Sequence, residues 1–324
     1  MANTEFQRLP AEELYQTELD ALIAAEQDPV PAGWRMSPRS VLTYITGGTA
    51  KGVAITPKYM GNRRLVEIAI ATLVTDRALL LIGEPGTAKS WLSEHLCAAV
   101  NGDSTKVVQG TAGTTEEQIR YSWNYAMLIA QGPSREAMIK SPIYRAMETG
   151  TIARMEEISR CASEVQDALI SILSEKRVSV PELAFELPAK NGIFRSSPRP
   201  TRATRASMRC QPRSNAALIL SCFPRRPISK RKSKLCARAW SSFPVRLACA
   251  RRRRAQSLSK LSITIFRELR GGVTLDNRKS LRHQRRALTA EAISLLANGM
   301  ALAASFGDGV IRDGDLAAAL QGAI

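Results

Sequence analysis

The stretch Leu79–Ser90 reads LLLIGEPGTAKS, and its residue types suit the binding of a polyphosphate. Four apolar residues run into a glycine-rich turn, and a helical pattern follows from Trp91 to Val100. A buried strand, a tight loop and a helix N-terminus in that order aim backbone N–H groups and the positive end of the helix dipole at one anion. Lys89 would reach the outer phosphates, and the Ser90 hydroxyl would ligate Mg²⁺. The candidate binding set is Gly83, Glu84, Pro85, Gly86, Thr87, Ala88, Lys89, Ser90 and Trp91. Ala88 stands where the pattern G-x-x-x-x-G-K-[ST] has its last glycine. Alanine tolerates positive φ poorly, so the loop is expected to hold Ala88 in a conformation an alanine can adopt. An ordinary strand–turn–helix with a surface lysine is the plainer alternative.

Downstream, Thr151–Met155 reads as a short strand that runs directly into Glu156 and Glu157. Two carboxylates at a strand end, after a phosphate loop, divide the work of phosphoryl transfer. Glu156 would hold the Mg²⁺ shell, and Glu157 would polarise the attacking water. An acidic surface pair before a helix is the other reading of the same residues.

The elements that must position these groups are legible from caps and periodicity. Pro10 opens an amphipathic helix to about Gln27, with Tyr15, Leu19, Leu22 and Ile23 on one face. Ser37-Pro38 caps a short helix that Gly47-Gly48 ends, and a further helix runs from about Arg64 to Thr75. Lys106–Gln109 reads as a second strand. Thr114 and Glu117 form a capping box for a helix to about Ile129, and Ser141-Pro142 opens another that Gly150 ends. Ser163 and Gln166 form a capping box for a helix through Glu175, and Arg177 to Leu187 reads as a hairpin. Strands alternating with helices imply an α/β fold with a parallel sheet. Leu288–Phe306 and Asp315–Gln321 read as helices of a small C-terminal subdomain.

Composition bounds the rest. The 324 residues suffice for a large domain or two medium ones. No apolar run is long enough to span a bilayer and Met1–Asp20 does not read as a signal peptide, so a soluble cytoplasmic protein is expected, with no membrane partner. The net charge of +17 suggests a nucleic-acid binder, but its distribution does not. Leu187–Arg267 holds 16 Arg and 5 Lys with no Asp or Glu, whereas the rest of the chain is slightly acidic. That segment is expected to pack poorly, since it lacks internal counter-charge and is interrupted by prolines. Four of the six cysteines (Cys210, Cys222, Cys236 and Cys249) lie in it, spaced too widely for C-x-x-C metal ligation. Cys97 and Cys161 read as free thiols.

The loop GEPGTAKS, the Met60-Gly61 entry and GTIARMEEISRCASEVQDALISILSEKRVSV together resemble the MoxR branch of the AAA+ ATPases. The resemblance covers roughly Lys58–Leu187 and then Thr264 to the C-terminus. It implies an α/β P-loop NTPase domain with a helical lid, usually in a homo-hexameric ring. It also implies ATP and Mg²⁺ as ligands. It assigns Lys89 and Glu157 catalytic roles, Ser90 and Glu156 metal roles, and the backbone near Met60 and Gly61 a contact with adenine. Members couple ATP hydrolysis to remodelling or maturing partner proteins, often ones with a von Willebrand factor A domain. The family has Asp where this chain has Glu156, and Arg154 inside the strand is a further departure.

Two family elements are not readable after Leu187: the polar sensor at the end of the next strand, and the arginine finger. They are readable one frame away. From the third base of the Ser196 codon, permitted codons can spell V-A-T-A-N-T-R-D-P-G-V-N-E-M-S-A-A-L-K-R-R-F-N-I-V-V-L-P. That string holds a sensor-like A-T-A-N-T and a finger-like L-K-R-R-F in order. Four regions are therefore expected: an N-terminal helical extension over 1–50, the nucleotide core over 51–190, an out-of-frame basic segment over 191–262, and a helical lid over 263–324. The competing functions are an ATPase, a nucleotide-binding product that does not hydrolyse, and a nucleic-acid binder using Arg251–Arg254. The last has no recognisable reading motif.

Overall fold

The structure, a computed structural model, describes residues 8–75, 77–83, 86–190, 216–220 and 289–321. These fall into two compact units, 8–190 with 216–220, and 289–321.

The first unit opens with α1 (Ala11–Leu14) and α2 (Gln16–Ala24), where one long helix was expected. Tyr15 breaks it by leaving helical geometry at φ −114°, ψ 27°. Ser37 caps α3 (Pro38–Thr46) by accepting from the Ser40 N–H, as the sequence indicates. A small hairpin of β1 (Gly48–Ala50) and β2 (Val53–Ile55) follows. Next come α4 (Arg63–Val74), β3 (Leu79–Ile82), α5 (Lys89–Asn101) and β4 (Val107–Gln109).

The expected helix from Thr114 to Ile129 is three elements. They are α6 (Glu116–Ile119), β5 (Tyr121–Trp123) and α7 (Tyr125–Gln131). The capping box is Thr115 with Gln118, one residue later than Thr114 with Glu117. Arg120 turns the chain out of the helix, and β5 pairs antiparallel with β6 (Met138–Lys140). Ser141 caps α8 (Pro142–Thr149), and Gly150 ends it in the left-handed region.

Then come β7 (Ala153–Glu156), α9 (Ser163–Glu175), and the hairpin of β8 (Arg177–Val180) and β9 (Phe185–Pro188). The expected Ser163–Gln166 capping box is absent. Ala162 is the N-cap residue, and Gln166 Nε2 donates instead to the Cys161 carbonyl at 2.8 Å.

Four strands form the central sheet in the order β3, β10 (Ala216–Leu220), β7, β4. β7 and β4 run parallel, and β3 shares their direction. The parallel sheet expected from the sequence thus holds for β3, β7 and β4, with β10 inserted antiparallel between β3 and β7. The first residue of β10, Ala216, pairs with Ile82 at the loop end of β3, and the strand AALIL holds no polar residue. Helices α4, α5 and α8 pack on this sheet. The core is formed by Ile70 and Leu73 of α4, Leu96 and Cys97 of α5, Ile143 and Met147 of α8, and Met155 of β7. Cys97 and Cys161 are buried free thiols.

The N-terminal helices are sealed onto α5 by an aromatic and charged cluster. Lys58 Nζ donates to Glu18 at 2.6 Å and lies 4.0 Å from the Tyr15 ring centroid. Tyr44 Oη meets His95 Nδ1 at 2.9 Å, and His95 also packs edge-on against Tyr15 and Trp91. His95 is fully buried and its Nε2 has no partner. Burial, with the charges of Lys58, Arg8 and Arg154, pushes its pKa down to about 4. The unfolded histidine titrates near 6.5, so the unfolded chain takes up a proton that the folded chain refuses. Stability from neutral His95 is complete above pH ~6.5 and is lost as pH falls toward 4, by about 3 kcal/mol in total. Urea unfolding across pH 7 to 4 should show this fall, and His95→Gln should flatten it. An undiminished slope in His95→Gln would place the acid sensitivity elsewhere.

The second unit is a helix pair, α10 (Thr289–Phe306) and α11 (Asp313–Gln321). Leu295 and Leu302 of α10 are buried with Leu316 and Ala319 of α11. No helix among the described residues is long and apolar enough to cross a membrane. The four cysteines of the basic segment and Arg251–Arg254 lie outside the described residues.

Candidate functional site

β3 delivers the chain into the glycine-rich turn, and α5 starts at Lys89. Glu84 and Pro85 lie outside the described residues. Gly86 has φ 80° and Ala88 has φ 58°, ψ 26°. Alanine here occupies the left-handed region that the last glycine of the pattern normally supplies, a conformation it adopts at a cost. That placement carries a strain of roughly 1–2 kcal/mol. It makes Ala88 the N-cap of α5, with no side-chain cap there. Lys89 Nζ donates to the Gly83 carbonyl at 2.9 Å and to Thr87 Oγ1 at 3.1 Å. The ammonium thus lies over the loop.

The sheet brings Glu156 to α5 across a long stretch of sequence. Ser90 Oγ donates to Glu156 Oε2 at 2.6 Å, and Ser93 Oγ donates to Oε1 at 2.7 Å. A hydroxyl and a carboxylate in contact are the hard oxygen donors that suit Mg²⁺. This donor pair fits the cation expected from the sequence. Glu157 lies elsewhere: at φ 53° it turns the chain into a 3₁₀ turn, Ile158–Arg160, and pairs with Arg160 Nε at 2.7 Å. The two adjacent carboxylates are therefore separated in role by backbone geometry, Glu156 ending the strand and Glu157 beginning the turn.

Trp91 Nε1 donates to the Lys58 carbonyl at 2.9 Å, which ties the start of α5 to the segment entering Tyr59, Met60 and Gly61. Met60 is 92% exposed, and the Tyr59 ring occupies the space beside Gly61 Cα.

Gly110 is a site residue that the sequence reading does not single out. Its N–H donates to the Glu156 carbonyl at 2.8 Å. A Cβ there would meet the carbonyls of Glu157 and Glu156 at 2.7 and 2.8 Å and Cys161 Sγ at 2.8 Å. Only glycine permits β4 to approach the acidic pair this closely. Gly110→Ala should destabilise the fold by about 1–3 kcal/mol through forced backbone displacement. Chemical denaturation reads the effect directly, and unchanged stability would mean that the contact relaxes without cost.

Residues 78–226 match the family described as AAA domain (dynein-related subfamily). The uncharacterized protein YehL of Escherichia coli (strain K12) is 45% identical over 194 residues, which is 59% of this chain and 53% of that protein. The chain thus spans about half the length of this curated relative. No solved structure matches. The matched segment is similar to AAA domains, and the fold is that of a P-loop NTPase.

Proposed function

We propose that this chain is an ATP-binding AAA+ protein of the MoxR type, whose hydrolytic step is impaired as the chain is written. The observation that carries the nucleotide reading is the 2.6 Å contact of Ser90 with Glu156, which joins the phosphate loop to the acidic strand end. In this reading the loop from Gly83 to Ala88 cradles the phosphates, Lys89 faces the outer ones, and Trp91 anchors the helix start. The segment at Met60 and Gly61 borders the adenine. Ser90 and Glu156 would hold Mg²⁺, which when bound neutralises charge developing on the phosphates. Glu157 orients and deprotonates the attacking water.

The impairment rests on two features. The sensor and the arginine finger are not readable in the basic segment. The strand between β3 and β7 is antiparallel and presents Ala216 beside the loop end of β3. A frame slip near the Ser196 codon accounts for both the composition and the missing motifs. DNA whose shifted frame is full of stop codons there would refute the slip. A homo-hexameric ring and a von Willebrand factor A domain partner follow from the MoxR resemblance. A nucleic-acid role is not favoured by any contact in the site.

Lys89→Ala tests the nucleotide reading. Loss of a charge-assisted hydrogen bond to phosphate should weaken ATP binding roughly tenfold to a hundredfold. Equilibrium binding of a fluorescent ATP analogue measures it. A folded Lys89→Ala variant that binds like the parent would end the assignment.

A further inference from the structure

Arg154 and Glu156 are two residues apart on β7, so their side chains leave the same side of the strand, and both are buried. The two oxygens of Glu156 have different partners. Oε2 accepts from Ser90 Oγ at 2.6 Å. Oε1 accepts from Ser93 Oγ at 2.7 Å and from Arg154 Nη1 at 3.2 Å. The guanidinium is fixed in turn. Nη1 lies 3.2 Å from Ser93 Oγ and 3.4 Å from the Ser90 carbonyl, and Nη2 donates to the Ser104 carbonyl at 2.9 Å. A full positive charge is therefore built into the carboxylate that faces Ser90.

We propose that Arg154 is a positioning residue that sets the divalent-cation affinity of the nucleotide site. This rests on the phosphate-site reading above. Arg154 holds Oε1, leaves Oε2 as the oxygen toward Ser90, and acts as a resident cation that competes with Mg²⁺ for one carboxylate. Like charges around a buried carboxylate are weakly screened, so the guanidinium lowers the affinity for an incoming cation. A purely structural role has the opposite signature. Without its anchor the carboxylate would wander, and cation binding would weaken.

The test uses the full chain, with Mn²⁺ and ADP as probes. ADP affinity is first measured in EDTA with a fluorescent analogue. Mn²⁺ is then titrated into the ADP complex, and free Mn²⁺ is followed by its electron paramagnetic resonance signal. Arg154→Gln keeps hydrogen-bond donors and removes the charge. It should bind Mn²⁺ about tenfold tighter, with metal-free ADP affinity unchanged. Unchanged or weaker Mn²⁺ binding in Arg154→Gln overturns the proposal. Arg154→Lys keeps the charge and should stay within about threefold of the parent. If Arg154→Gln does not fold, Arg154→Lys decides alone: a larger change in either direction overturns the proposal, and retention supports it. Absence of ADP binding by the parent would remove the phosphate-site reading and this inference together. ADP binding with Mn²⁺ affinity indifferent to the charge at 154 would remove this inference only.

Discussion

Steady-state phosphate release should rise by roughly 10³-fold or more when residues 197–262 are replaced by their shifted-frame reading. A P-loop ATPase site of this kind is composite. One subunit supplies the cradle, the metal donors and the base, which the proposed function assigns to Gly83 to Ser90 with Glu156 and Glu157. The sensor positions the water, and a finger from the next subunit neutralises the γ-phosphate as charge builds on it. The finger alone contributes roughly 10³–10⁵ in rate. Under the proposed reading, the chain carries the first half of this machinery without the second. The sheet agrees with that division, since AALIL places no polar residue between β3 and β7. The comparison must be made at equal nucleotide occupancy, because the replaced segment adjoins the phosphate loop through β10. Equal rates would mean that the missing motifs do not matter, and the finger would have to be sought elsewhere, first at Arg267 and Arg270.

Glu157→Gln in the frame-restored chain should lower that regained turnover by roughly 10²–10⁴-fold while ATP binding persists. A glutamine amide holds a water in place but cannot accept its proton. The left-handed turn at Glu157 is a backbone property and does not depend on the carboxylate charge, so the variant should keep its position. The ion pair with Arg160 is half exposed and contributes little to folding. Single-turnover release of phosphate from bound ATP separates the outcomes. Retained turnover would assign the base to another group, and lost binding would show that Glu157 supports the nucleotide site structurally.

How much of this could be read in the chain depended on the range of the interactions. Ser37-Pro38 and Ser141-Pro142 were legible because an N-cap and a first-turn proline act within four residues. The helix read from Trp91 to Val100 begins two residues earlier, at Lys89, and the strand read over Thr151–Met155 is Ala153–Glu156, because neither end carries a side-chain cap or a proline to mark it. The region 114–131 was not legible, because β5 exists only through its partner β6, and a three-residue strand leaves no periodicity. Gly110 was invisible since its constraint comes from the carbonyls of Glu156 and Glu157, far along the chain. Arg154 stood out as a charge inside a strand, but its meaning lay in Ser93 and Ser104, which spacing could not reveal. The left-handed conformation of Ala88 was not legible because it is set by the joining of β3 to α5 rather than by the preference of one residue.

The family match begins at residue 78, yet the helix that carries Lys89 is held from the other side of that boundary. Arg35 N–H donates to the Val100 carbonyl at 2.7 Å, and the Ser104 N–H donates to Glu12 at 3.0 Å. Tyr44 covers His95, and the Lys58 carbonyl receives Trp91. A polypeptide beginning at residue 78 would leave a neutral histidine, a tryptophan N–H and the apolar flank of α5 facing water. The stretch by which the protein is recognised is thus shorter than the stretch that must fold together. For this chain, modularity begins well before residue 78, and shuffling the recognised segment into another context would carry Lys89 and Glu156 without the ground they stand on.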